Sequence, residues 1–100
     1  MWVPKVGGKE KDVSTATRYV PDARARHFWD ADGILLKDYQ PVLSIARDAW
    51  DVYMVYGPDA RWDAEGPPRP QFWMHQLDVS NAPALDAATF AARVRSLEAR

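Results

Sequence analysis

The heptapeptide Trp50–Tyr56, W-D-V-Y-M-V-Y, limits what this chain can fold into more than any other stretch. Its aromatic and β-branched residues suit a pleated surface. At a period of two, Trp50, Val52, Met54 and Tyr56 fall on one face, and Asp51, Tyr53 and Val55 on the other. Apolar groups on both faces predict a central strand covered from both sides. Gly57-Pro58-Asp59 closes it as a turn. Residues 61–70, with Gly66-Pro67-Pro68, read as an irregular loop longer than a tight hairpin, a length at which loops are often functional or mobile. Gln71–Leu77 (Q-F-W-M-H-Q-L) is then the last strand.

The remaining elements follow from spacing and breakers. Trp2–Val6 reads as a short strand, pushed to a sheet edge by Pro4, which cannot donate to a ladder, and broken by Gly7-Gly8. Val13, Ala16 and Val20 form one apolar stripe and predict a helix from Lys9 to Val20, with the charges around Asp12 facing water and Pro21 as its stop. Ala25–Trp29 is a second strand, closed by Asp30. After Gly33, the residues Ile34, Leu35, Leu36 and Tyr39 suit a helix of two or three turns ended by Pro41, and Val42–Ala46 is an apolar tail of either type. Asp86 can cap a closing helix to Arg100 with the stripe Ala87, Phe90, Ala91, Val94 and Leu97. The order β-α-β-α-β-β-α predicts an α/β fold, a mixed sheet with helices on both faces, in one domain spanning residues 1–100.

Charge and composition exclude several function classes. Thirteen basic and fourteen acidic residues leave a net charge of −1, without the clustered basic face that binding a phosphate backbone requires. No nucleic-acid partner is expected. No apolar run approaches the ~20 residues that span a bilayer, and the N-terminus lacks the apolar core of a signal peptide, so the expected setting is cytoplasmic, away from membranes. The chain has no cysteine, which removes disulfides, thiolate catalysis and cysteine metal ligands. No cofactor is expected.

The element order, with D-A-D-G-I-L-L-K-D-Y at residues 30–39 leading into W-D-V-Y-M-V-Y and F-W-M-H-Q-L, resembles the thioredoxin-like superfamily, and redoxin-type members most. In those proteins a strand ending in Asp precedes a short helix containing Tyr, followed by a central strand, an antiparallel partner and a C-terminal helix. The departures are large. Their Cys motif has no counterpart here, and the position of their cis-proline reads Arg47-Asp48-Ala49. The resemblance therefore implies a redox-inactive domain that serves binding or assembly. It also implies that the chain is the back portion of such a domain, beginning at Trp2-Val3-Pro4 without the usual first strand and helix. A missing strand exposes an edge that invites a second copy, so a homo-oligomer or another protein partner is expected. The alternative is the C-terminal part of a thiol oxidoreductase whose Cys segment lies upstream of Met1.

Candidate chemistry centres on carboxylates and histidines. Asp30 and Asp32, followed by Gly33, are similar to the D-x-D pair of haloacid-dehalogenase-type phosphatases, where one Asp attacks phosphorus, the other protonates the leaving oxygen and Mg²⁺ offsets their charge. Ile34 replaces the usual hydroxyl residue, however, and no lysine follows Lys37. The plainer expectation is that these aspartates cap the next helix. His27 and His75 could share a metal if their strands were neighbours, but two ligands make an incomplete site; the simpler reading is hydrogen-bonded histidines at a core margin. Asp51 either joins Asp30 and Asp32 at the mouth of the sheet or faces water. Trp62, Phe72 and Trp73, with Pro67, Pro68 and Pro70, form either a partner groove or a cover over the sheet edge.

Overall fold

In a computed structural model of the protein, residues 1–5 and 7–98 are described. Along the chain come α1 (Val13–Ala16), α2 (Ile34–Leu43), β1 (Val52–Val55), β2 (Phe72–His75) and α3 (Ala87–Glu98). Short 3₁₀ turns, Glu10–Asp12 and Thr17–Tyr19, flank α1. The fold is α/β.

β1 and β2 pair antiparallel with Val52 opposite His75, Tyr53 opposite Met74, Met54 opposite Trp73 and Val55 opposite Phe72. Directly opposed residues share a face. One face therefore carries Val52, Met54, Trp73 and His75. Of these, Val52, Met54 and Trp73 pack on a buried cluster of Leu43, Ile45 and Ala49, which Tyr39, Val42, Leu77 and Val79 also cover. The other face meets α3. The Tyr53 ring stands edge-on to Phe90 with centroids 6.4 Å apart, and the Arg93 guanidinium lies 4.6 Å over the Phe72 ring. Asp86 caps α3, its Oδ2 accepting the Thr89 amide at 3.0 Å.

Both predicted strands of the hairpin form, but each is shorter than the sequence indicates. β1 starts at Val52 because Asp51 has φ +55°, a left-handed conformation that ends the extended run. The expected four-stranded mixed sheet is not formed among the described residues; the sheet has two antiparallel strands. Of the expected N-terminal strands, Trp2–Val6, whose Val6 lies outside the described residues, and Ala25–Trp29, the described residues contribute a single parallel bridge, Trp2 to Trp29, made by the Trp2 amide on the Phe28 carbonyl (2.7 Å) and the Asp30 amide on the Trp2 carbonyl (2.8 Å). The N-terminal stretch curls away immediately: Pro4 has no amide to offer, and the Lys5 amide turns back to the Val3 carbonyl at 2.8 Å.

The helix expected over Lys9–Val20 is one α turn between two 3₁₀ turns. Ser14, Thr15 and Thr17 are poor helix formers, and the Thr17 hydroxyl bonds the Ser14 carbonyl at 2.9 Å. α2, by contrast, outruns its predicted stop and continues through Pro41 to Leu43. Its end is set by Ser44 at φ +56°, with the Ile45 amide returning to the Gln40 carbonyl at 3.0 Å. The predicted final residues of the closing helix, 99 and 100, lie outside the described residues.

The chain keeps 7267 Å² accessible to solvent. A monomer of this mass ordinarily exposes about 5800 Å². Roughly 1500 Å² more surface than usual is therefore in contact with water.

Candidate functional site

Asp30 acts on the backbone of the next helix. Its Oδ1 accepts the Ile34 amide at 3.2 Å and its Oδ2 the Leu35 amide at 2.9 Å. Both oxygens thus satisfy amides that the start of α2 leaves unpaired. Gly33, at φ +65°, makes the turn that aims them there. Asp32 is exposed and makes no side-chain hydrogen bond among the described residues. Asp51 is engaged elsewhere: the Tyr53 hydroxyl donates to its Oδ1 at 2.7 Å. Burial, with this bond to Asp51, pushes the Tyr53 phenol up to about 12. No group of three or more His, Asp or Glu side chains among the described residues is placed to hold a metal ion.

The two histidines have separate partners. The Trp2 indole donates to His27 Nδ1 at 3.1 Å, so His27 Nε2 carries the proton that faces the Val20 carbonyl at 3.3 Å. The rings of Trp2 and His27 stack with centroids 6.0 Å apart. His75 is buried. Its Nδ1 accepts the Leu77 amide at 3.1 Å, leaving Nε2–H to donate to the Ala82 carbonyl at 2.8 Å. Both ring nitrogens latch the chain that leaves β2.

The aromatic candidates separate by position. Trp73 packs on the core cluster and Phe72 lies under Arg93, whereas Trp62 is 52% exposed. Trp62 stands at the rim of an open cleft of about 360 Å³ between α2 and the 61–70 loop, with Asp38, Pro41, Asp63, Glu65 and Pro67 among its walls. The loop is internally ordered. Asp63 and Gly66 bridge each other, the Glu65 amide bonds Asp63 Oδ1 at 2.8 Å, and Gly66 takes φ +120°, which favours glycine.

Two tyrosines fix this loop to the body. The Tyr56 hydroxyl donates to the Pro68 carbonyl at 2.8 Å and, having one proton, accepts from Tyr39 at 3.1 Å. Burial and the Tyr39 hydroxyl push the Tyr56 phenol well above its ordinary value. The Tyr39 ring in turn meets Trp62 edge-on, centroids 6.1 Å apart. Trp62 is thus an exposed aromatic with a rigid back wall. A second cleft, of about 240 Å³, lies between the N-terminal segment and β1 and is mainly apolar, with Val3, Leu35, Trp50 and Met54 in its walls.

One polar centre escaped the sequence reading. The Asp48 carboxylate accepts from Lys5 Nζ at 2.8 Å, from Lys37 Nζ, and from Gln40 Nε2 at 3.1 Å. The Lys37 and Lys5 ammonium groups hold its carboxyl down at about 2. Asp48 therefore ties the N-terminal segment to α2 and takes up the charge of Lys37 beside the Trp62 cleft. Lys5 and Asp48 are 43 positions apart, and no local pattern links them. With the geometry of both clefts in hand, comparison adds no relative: no family model, curated protein or solved structure matches this chain.

Proposed function

We propose that the chain is a binding module that assembles with other copies of itself, working through the cleft between α2 and the 61–70 loop. The observation that carries the reading is Trp62: a large ring, 52% exposed, held from behind by the Tyr39–Tyr56–Pro68 chain of hydrogen bonds. A preorganised aromatic in a concave surface gives contact area with little ordering cost, which is what interface anchors share. The surplus of accessible surface supports the same reading, since a standard interface removes about 800 Å² from each partner. The bridge Trp2–Trp29 across α1, followed by α2, the hairpin and α3, is compatible with a reduced thioredoxin-like order. Without cysteine, that scaffold has no thiol chemistry, and binding is the role left to it.

Sedimentation velocity over a rising concentration series tests the reading. Wild type is expected to sediment faster as concentration increases, while Trp62→Ala stays a single chain that keeps the wild-type far-UV circular dichroism. A wild-type protein that stays monomeric at high micromolar concentration would overturn it.

A further inference from the structure

The geometry points to the occupant of the Trp62 cleft: the basic, aromatic stretch Arg18–Phe28 of a second copy, docked head to tail. This inference rests on the assembly reading above and names its two surfaces.

The cleft selects for a cation beside an apolar group. Trp62, Pro41 and Pro67 supply apolar wall, while Asp38, Asp63 and Glu65 supply carboxylates. Lys37, the basic side chain in that wall, already has its ammonium on Asp48. The local field is therefore negative even though the whole chain is nearly neutral.

The complementary surface lies on the same chain. Tyr19, at the end of the last 3₁₀ turn, is 84% exposed, and Val20 and Phe28 on the way to the parallel bridge are also exposed. The His27 Nε2–H bond to the Val20 carbonyl draws the two ends of the stretch together. Arg18 and Arg26 are exposed and have no ion-pair partner among the described residues, whereas Arg24 is already paired with Asp22 at 2.7 Å. Two unpaired guanidinium groups among exposed rings match a cleft of carboxylates around an exposed indole. Guanidinium is also the cation best suited to lie on an aromatic face while bonding carboxylates.

The two patches are different surfaces of one molecule. Each copy therefore offers both a free cleft and a free basic stretch. Such contacts are heterologous, so assembly grows past a dimer unless the rotation closes a ring.

Complementary charge reversal provides the test. One variant carries Asp38→Lys and Glu65→Lys, the other Arg18→Glu and Arg26→Glu; all four side chains are exposed and make no side-chain hydrogen bond among the described residues. Circular dichroism checks that both fold as wild type. The milder pair Asp38→Asn and Glu65→Gln serves if the lysine variant does not fold. Each reversed variant alone is expected to sediment as a single chain, its self-association weakened at least ~10-fold by like-charge contact. An equimolar mixture restores one native contact and makes the second charge-reversed but again complementary, so it is expected to assemble as alternating copies of the two variants. Added salt is expected to weaken the wild-type assembly. If wild type assembles and the reversed variants assemble equally well, or if the mixture stays monomeric, the head-to-tail contact is overturned and the assembly reading stands. If wild type never assembles, both fall.

Discussion

The chain before Gly33 and the chain from Gly33 to His75 are kept in place by different forces. Every buried residue among those described lies in the second region, where Leu36, Leu43, Ile45, Ala49, Val55 and Met74 form the apolar interior. The first region buries no described residue fully. It is held by polar ties: the Trp2–Trp29 bridge, the indole–imidazole bond and the Lys5–Asp48 ion pair. Apolar burial carries no charge to titrate, whereas the Lys5–Asp48 ion pair responds to both pH and salt. The domain therefore has a section that defines the fold and a section that is attached to it.

The sharpest way to break that contrast is to remove side chains from each region. Met74→Ala, at a residue 1% exposed, is expected to cost about 2–5 kcal/mol, a large share of the ~5–15 kcal/mol that holds a domain folded. Phe28→Ala, at an exposed residue, is expected to change stability by no more than about 0.5 kcal/mol. Urea denaturation measures both, and equal losses would dissolve the distinction. His75→Ala tests whether the second region also depends on a buried polar latch. It leaves the Leu77 amide and the Ala82 carbonyl without their partner, at about 1–3 kcal/mol, with faster amide exchange at Leu77.

A pH-dependent effect is expected where the regions meet. The Asp48 carboxyl sits at about 2 in the fold against 3.8 as the ordinary value. A carboxyl lowered by folding contributes stability that is complete above its unfolded value and is lost as pH falls through its folded value. The N-terminal tie should therefore hold above about pH 4 and release toward pH 2. Near-UV circular dichroism of the tryptophans should report this step, and Asp48→Asn should lack it. A variant that keeps the step would assign it to another carboxylate.

Elements that carry their own instructions were legible in the sequence. The alternation from Trp50 to Tyr56 identified β1 and its two covered faces, though with β2 as its one partner in a two-stranded sheet it is not the central strand expected, and Asp86 identified the start of α3. Asp30 was legible as a cap because capping is a local event spanning a few residues. The N-terminal strands were not, since Trp2–Val6 reads as β-prone but a ladder also needs a partner edge, and Pro4 with the Lys5 turn withdraws it. The stop expected at Pro41 failed, and α2 ends instead where Ser44 turns left-handed, a conformation that no breaker residue in the sequence announces. In the candidate site, Trp62, Phe72 and Trp73 read alike in sequence, and only the fold separates them: Trp62 is exposed, while Trp73 and Phe72 belong to packing. The Asp48 centre and the Tyr39–Tyr56 link join residues far apart in sequence, so only the fold reveals them.

The large wetted surface has a consequence for how the protein melts. Both the heat-capacity change and the denaturant slope scale with the area newly exposed on unfolding. A folded state that already exposes 7267 Å² has less area left to release. Its stability curve should be flatter than that of a typical hundred-residue domain, and its transitions broader in both heat and urea. Seating a second molecule on that surface would return the missing area to the transition, so calorimetry would register association as a sharpening of the melt as well as a rise in its midpoint.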